Sequence, residues 1–143
     1  MRKDIIKRIE DAKNNLIIFK NSSCVDKIEL AARLCVQSIK KNGKIIFCGN
    51  GGSASDSAHL SAELVGRYLK NRKPYASLSL VSNLSVITAI ANDFGYEDIF
   101  ARQLDAIGNK NDVLFAISTS GKSKNVLKAI KTANNKKIKI IVL

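Results

Sequence analysis

The stretch Cys48-Gly49-Asn50-Gly51-Gly52-Ser53-Ala54-Ser55-Asp56-Ser57-Ala58-His59-Leu60-Ser61-Ala62-Glu63 concentrates residue types that can do chemistry. Its glycines allow positive φ and close backbone approach to a ligand, and Ser53 and Ser55 put hydroxyls beside the unpaired amides of a helix start. Such a loop can cradle an anion. Ser53 and Asp56 also stand at capping-box spacing, so the same residues could simply begin the helix. His59 and Glu63 are four apart, which on a helix puts an imidazole and a carboxylate on one face, able to point together at whatever the glycine loop holds. An acid/base or metal pair is the functional reading. A core histidine beside an ordinary surface glutamate is the bland one.

A second polar cluster, Ser118-Thr119-Ser120-Gly121-Lys122-Ser123, follows the apolar run Asp112 to Ile117 and precedes a helical pattern from about Lys124 to Ala133. Hydroxyls, backbone amides and a helix dipole at one place make a phosphate site, with a hydroxyl-rich cap as the structural alternative. Asn92 and Asp93 fall in the polar segment Ala91 to Asp98, which reads as a turn. They could meet a ligand or merely close that turn through their own side chains.

The elements that must position these groups alternate. Residues 1 to about 20 form an amphipathic helix; a second runs from Val25 or Asp26 to Ile39, and its broad apolar set predicts burial on two sides. Lys44 to Phe47 reads as a strand of the kind parallel sheets bury on both faces. A helix through Leu60, Leu64 and Tyr68, its expected apolar face, extends to about Asn71. Arg72-Lys73-Pro74 connects it to a strand at Ser77 to Val81, and Ser82-Asn83 caps a short helix through Ile90. A helix over Ile99 to Ile107, the strand Asp112 to Ile117, and a last strand over Ile138 to Leu143 complete the pattern. This is an α/β chain: a doubly wound parallel sheet with flanking helices, whose ligands gather at the carboxyl edge. The expected organisation is a single domain over 1–143, with an N-terminal helical region (1–43) and an α/β core (44–143). An apolar strand of this kind normally has a covering helix after it, so the core is expected to be shortened at its C-terminus, lacking a strand and a helix.

Length and composition narrow the class. At 143 residues, with 45% hydrophobic and 25% charged content, the chain is long enough for a substantial core. No apolar run is long enough to span a bilayer and no signal-peptide region opens the chain, which predicts a cytoplasmic protein without a membrane partner. Cys24, Cys35 and Cys48 have no close pairing, which predicts reduced thiols and no cysteine zinc cluster. Cys48, beside the glycine loop, is expected to be oxidation-sensitive. The net charge of +12 raises nucleic-acid binding, but the lysines are scattered and no aromatics interleave with them. A solvated surface that steers anionic small substrates fits better.

Two look-alikes fall away. Gly-Lys-Ser at Gly121 to Ser123 lacks the first P-loop glycine, because Ala116 stands there, and Gly49, Gly51 and Gly52 miss the dinucleotide G-x-G-x-x-G spacing. What does match is a set of three motifs: CGNGGSASDSAHLSAELVGRY from Cys48 to Tyr68, NDFG from Asn92 to Gly95, and ISTSG from Ile117 to Gly121. In this order they closely resemble the phosphoheptose isomerase (sedoheptulose 7-phosphate isomerase) family of the sugar isomerase (SIS) domain superfamily, over nearly the whole chain. The resemblance implies a SIS-type, flavodoxin-like three-layer sandwich. It also implies a cytoplasmic homotetramer that converts D-sedoheptulose 7-phosphate to D-glycero-D-manno-heptose 7-phosphate, towards heptoses of lipopolysaccharide or capsule. By the same resemblance Asn50, Gly51, Gly52 and Ser53 hold the sugar, Asn92 and Asp93 contact it, and Ser118, Thr119, Ser120 and Ser123 hold its phosphate. His59 and Glu63 match zinc ligands, and Glu63 also matches the acid/base glutamate and contacts substrate.

The chemistry agrees with that assignment. An aldose-ketose interconversion moves a proton between neighbouring carbons through an enediol, and it needs a base and something to stabilise the oxyanion. One departure stands against it. The family carries a further Gln and His in a C-terminal helix, His59 is the only histidine of this chain, and two protein ligands are too few for a typical zinc site. The competing expectation is a catalytically impaired or regulatory SIS-domain protein that binds a phosphosugar without isomerising it.

Overall fold

The computed structural model describes residues 1–143. The chain divides into two compact units, Met1–Arg33 and Leu34–Leu143. The first holds helix α1 (Arg2–Lys20) and the opening turns of α2 (Cys24–Lys40). Helix α1 buries none of its residues, and Ile9 and Leu16 are 64% and 70% exposed.

The second unit is built on a parallel sheet of order β2-β1-β3-β4, with β1 at Ile45–Gly49, β2 at Ser77–Ser79, β3 at Val113–Ile117 and β4 at Lys139–Val142. All pairings are parallel. The continuous apolar runs of β1 and β3 fit this role, because central parallel strands are covered on both faces. On one face Ile46, Cys48, Leu114 and Ala116 meet Phe100 and Leu104, at and within α5 (Ala101–Ile107), and Val126, Ala129 and Ala133 of α6 (Lys124–Asn135). On the other, Ile45, Phe47, Val113 and Ile117 meet Leu34, Cys35 and Ile39 of α2 and Leu64 of α3 (Gly52–Val65). The sandwich is therefore three-layered and doubly wound, as the alternation of elements predicts. Asp112, 1% exposed, ties the amino ends of β1 and β3 together: its carboxylate accepts from the Lys44 backbone N–H at 2.9 Å and ammonium at 2.7 Å, and from the Asn109 N–H at 2.8 Å.

Three sequence expectations need correction. Helix α3 (Gly52–Val65) stops well short of Asn71. Its last carbonyls are taken by the Arg72 guanidinium, which donates to Glu63 O at 2.7 Å and Leu64 O at 2.9 Å, so the chain turns back at Gly66. The face that α3 lays on the sheet is Ser57, Ser61 and Leu64, while Leu60 is 37% and Tyr68 70% exposed. Helix α4 (Leu84–Phe94) runs through Asn92 and Asp93, and the turn comes only at Gly95, with φ +96°, leading into a 3-10 turn at Tyr96–Asp98. Of the two sides of α2 expected to be buried, this chain itself covers the one through Leu34, Cys35 and Ile39, and Ile28, Leu30 and Val36 are exposed on it. Helices α5 (Ala101–Ile107) and α6 (Lys124–Asn135) fall close to their expected spans.

Candidate functional site

The strand order changes direction between β1 and β3. Beyond β1 the chain goes through α3 to β2 on one side, and beyond β3 through α6 to β4 on the other, which opens a crevice at the carboxyl ends of these two strands. Gly49 pairs in register with Ile117, so Asn50 and Ser118 follow from adjacent strand ends. Sequence separates these loops by nearly seventy residues, and the parallel ladder puts them side by side.

The first loop is shaped by two different uses of glycine. A side chain on Gly49 would come within 2.7 Å of both the Cβ and the carbonyl oxygen of Ser53, so only glycine lets α3 start this close to the strand end. Gly51 has φ +56° and its missing Cβ faces open space, so there the need is purely for left-handed backbone. Gly51 is the N-cap and no side chain caps α3, so the expected Ser53/Asp56 capping box does not form. Uncapped first-turn amides and the positive end of the helix dipole are left to meet an anion. Ser57 is buried and returns its hydroxyl to the Ser53 carbonyl at 2.7 Å, bracing the first turn.

The second loop is shaped by hydroxyls. Ser118 and Ser123 share a hydrogen bond at 3.2 Å, the Lys122 N–H donates to Ser120 Oγ at 3.2 Å, and Gly121 has φ +64°. Ser123 is the N-cap of α6 by position, yet its side chain makes no capping bond. The hydroxyl-rich-cap alternative therefore loses its main support. Backbone capacity is partly used: the Ser118 N–H donates to Leu143 O at 2.8 Å. Thr119 and Ser120 are exposed.

Asn50 joins the loops. Its amide exchanges a pair of hydrogen bonds with Asn125 of α6, both at 2.8 Å, and its Oδ1 also accepts from the Tyr96 hydroxyl at 3.0 Å. Neither Asn125 nor Tyr96 stands out in the sequence: Asn125 follows the hydroxyl cluster as one more polar residue of an amphipathic helix, and Tyr96 sits in a polar segment. The signal that could have found Asn125 is a polar residue at a position the helical period assigns to the core beside Val126 and Ala129. Asn92 and Asp93 are exposed, and their side chains hydrogen-bond each other at 2.9 Å, with no side-chain bond to either loop.

His59 and Glu63 share one face of α3 as their spacing predicts, with His59 Nε2 at 3.7 Å from Glu63 Oε1 and side chains 73% and 30% exposed. They stand apart from the glycine loop. Glu63 lies eleven residues beyond Gly52, about 16 Å along the helix axis at ~1.5 Å per residue. Glu63 Oε2 is buried and has no hydrogen-bond partner. An unpaired buried carboxylate oxygen is costly unless a proton or a ligand satisfies it. Zinc takes four ligands in a structural site and three protein ligands plus an open position in a catalytic one. The chain brings no three His, Cys, Asp or Glu side chains together for a metal. His59 and Glu63 therefore do not by themselves make a zinc site.

Cys48 differs from the sequence expectation. It is fully buried beneath the glycine loop, and burial pushes its thiol up to about 12, so it is a small apolar core residue rather than an oxidation-prone thiol.

A family model for the SIS domain matches residues 10–143. The phosphoheptose isomerase of Helicobacter pylori (strain ATCC 700392 / 26695) is 51% identical over 118 residues, an alignment covering 82% of this chain and 62% of that protein. The phosphoheptose isomerase of Buchnera aphidicola subsp. Schizaphis graminum is 48% identical, covering 100% of this chain and 74% of the relative. A solved structure of phosphoheptose isomerase from Neisseria gonorrhoeae superposes with a TM-score of 0.89 at 34% identity, covering 99% of this chain and 73% of that one. The chain thus spans roughly three fifths to three quarters of the length of the proteins it matches. No helix of the chain is long and apolar enough to cross a membrane.

Proposed function

This chain belongs to the SIS-domain family and, within it, to the phosphoheptose isomerase family, and on that premise we propose that it isomerises D-sedoheptulose 7-phosphate to D-glycero-D-manno-heptose 7-phosphate. The observation that carries the reading is the crevice at the carboxyl edge, where the glycine loop after β1 and the hydroxyl loop after β3 stand side by side and open two helices without side-chain caps, as a sugar and its phosphate require. Glu63, with a buried Oε2 that has no partner, is the candidate base on the same helix as the glycine loop.

In this reading Ser118, Thr119, Ser120 and Ser123 hold the phosphate with the positive end of α6. Asn50, Gly51, Gly52 and Ser53 hold sugar oxygens, and Asn92 and Asp93 contact the sugar from the end of α4. Glu63 takes the proton from C1 of the ketose while O2 gains a proton to give the enediol, and returns it to C2 while the C1 hydroxyl gives up its own, leaving the aldose. Zinc would use His59 and Glu63 as two of its ligands and polarise the carbonyl when bound. A homotetramer belongs to the same proposal, supported by the exposed apolar residues of α1 and α2, as do a cytoplasmic site of action and a role in lipopolysaccharide or capsule heptose synthesis. The runner-up is a phosphosugar-binding protein without turnover, favoured by the two-member donor set.

Turnover of sedoheptulose 7-phosphate, with and without zinc, beside Glu63→Gln decides between them. The isomerase reading expects turnover that falls by at least about a hundredfold in Glu63→Gln with binding retained. Saturable binding of the sugar phosphate with no turnover in either protein would instead establish the binding module.

A further inference from the structure

Asn50 is held by more than its own loop. A primary amide offers two N–H donors and two acceptor lone pairs on its oxygen. Both lone pairs of Asn50 Oδ1 are taken, one by Asn125 Nδ2 at 2.8 Å and one by the Tyr96 hydroxyl at 3.0 Å. One N–H of Asn50 Nδ2 goes to Asn125 Oδ1 at 2.8 Å. What remains for a ligand is a single N–H.

The orientation of this amide is set from outside the loop. Asn125 is 3% exposed, and its Oδ1 also accepts from the Val126 backbone N–H at 2.9 Å. A backbone N–H cannot reverse its polarity, so Asn125 must keep its oxygen on that side, and the reciprocal pair then dictates which end of the Asn50 amide is oxygen. Tyr96 reaches the same oxygen. The turn that carries Tyr96 is itself tied to α6, with Lys128 on Asp98 at 2.8 Å and Lys124 on Glu97 at 2.9 Å. The Glu97 carboxylate raises the Lys124 ammonium above its ordinary value.

We propose that Asn125 and Tyr96 are positioning residues that lock Asn50 as a pure hydrogen-bond donor, so that this point of the site selects a ligand oxygen acting as acceptor, a sugar hydroxyl or carbonyl, and rejects a ligand group that can only donate. The inference rests on the sugar-phosphate reading above, and it adds how the sugar end of the ligand is oriented. Asn125 and Tyr96 act through Asn50, while the hydroxyl loop senses the phosphate.

The test is calorimetric binding of sedoheptulose 7-phosphate and, separately, inorganic phosphate to the full chain and to Asn50→Ala, Asn125→Ala, Tyr96→Phe and the double variant Asn50→Ala/Asn125→Ala. Sugar-phosphate affinity should fall about tenfold in Asn125→Ala and about threefold in Tyr96→Phe, the loss of one aligned hydrogen bond or part of one, with phosphate affinity within about twofold of wild type. The double variant should bind no worse than Asn50→Ala alone, because a residue that acts through Asn50 has nothing left to position. Full additivity in the double variant, or a parallel loss of phosphate binding, would mean general damage to the site and overturns the inference. So does an unchanged sugar-phosphate affinity in Tyr96→Phe and Asn125→Ala, whose folding is checked by thermal melting. A wild-type chain with no preference for the sugar phosphate over phosphate overturns the functional reading itself, an outcome visible before any variant is made.

Discussion

The loop after β1 and the loop after β3 leave the same sheet edge, each opens a helix without a side-chain cap, and they are built in opposite ways. The first is a backbone device: Gly49 allows contact, Gly51 supplies left-handed φ, and one side chain, Asn50, is clamped from two other elements. The second is a side-chain device, with serine and threonine hydroxyls on a looser frame. A phosphate is nearly isotropic and needs only several donors and a positive field. A sugar has distinct hydroxyls at fixed positions, so reading it requires a donor whose direction does not wander. On this view rigidity is concentrated where orientation has to be read and adaptability where charge has to be held.

The largest expected effect separates the two glycines of the rigid loop. Gly49→Ala puts a Cβ against the Ser53 backbone, which is not a flexible group, and should cost about 2 kcal/mol or more of stability as α3 is pushed from the strand end. Gly51→Ala meets nothing in space and should cost only the strain of its backbone at φ +56°, ψ −122°, about 1–3 kcal/mol. Chemical denaturation of both proteins measures the two losses, and a Gly49→Ala loss below about 1 kcal/mol would mean that the close approach of α3 is not what the loop depends on.

Next comes the hydroxyl loop. Ser118→Ala/Ser123→Ala removes a hydroxyl pair that holds no helix, so thermal stability should stay within about 1 kcal/mol while the affinity for inorganic phosphate falls about tenfold. A large drop in melting temperature with unchanged phosphate affinity would reverse the comparison and make this loop the structural one.

At neutral pH the smallest effect is the ionisation of Cys48, beneath the rigid loop, which is felt only in alkali. Its thiol is held protonated in the folded chain, so the folded value lies above the unfolded one. The associated stability is complete below about pH 9 and is lost as pH rises towards about 12. Denaturant midpoints of wild type and Cys48→Ala across that window should converge at the alkaline end. A constant difference would show that the buried thiol does not titrate with unfolding.

Much of this molecule was readable from local pattern. The apolar runs Ile45 to Phe47 and Val113 to Ile117, each ending in small polar residues and followed by a helical period, led to strand, loop and helix in the right order. Errors arose where a distant group decided a boundary. Helix α3 ends at Val65 because Arg72 folds back onto its carbonyls, and α4 continues through Asn92 and Asp93 until the positive φ of Gly95 stops it. The face of α3 was misread through Leu60 because close packing on the sheet favoured the small Ser57 and Ser61, where a hydropathy period sees only polar residues. The expected oxidation sensitivity of Cys48 rests on its neighbouring a loop, yet it is still the fourth residue of a buried strand.

The sequence by itself determined the elements, the parallel α/β class and the residue types of both loops, because these depend on interactions within a few residues: alternation, helical period, glycine conformations and uncapped amides. The tertiary structure alone decided what those residues face. The register of β1 on β3 set the two loops side by side, the fold of α6 and the Gly95 turn brought Asn125 and Tyr96 onto Asn50, and the length of α3 held Glu63 away from the glycine loop. Hydrogen bonds across seventy-five and forty-six residues have no local signature, since they form only once the chain has closed those distances.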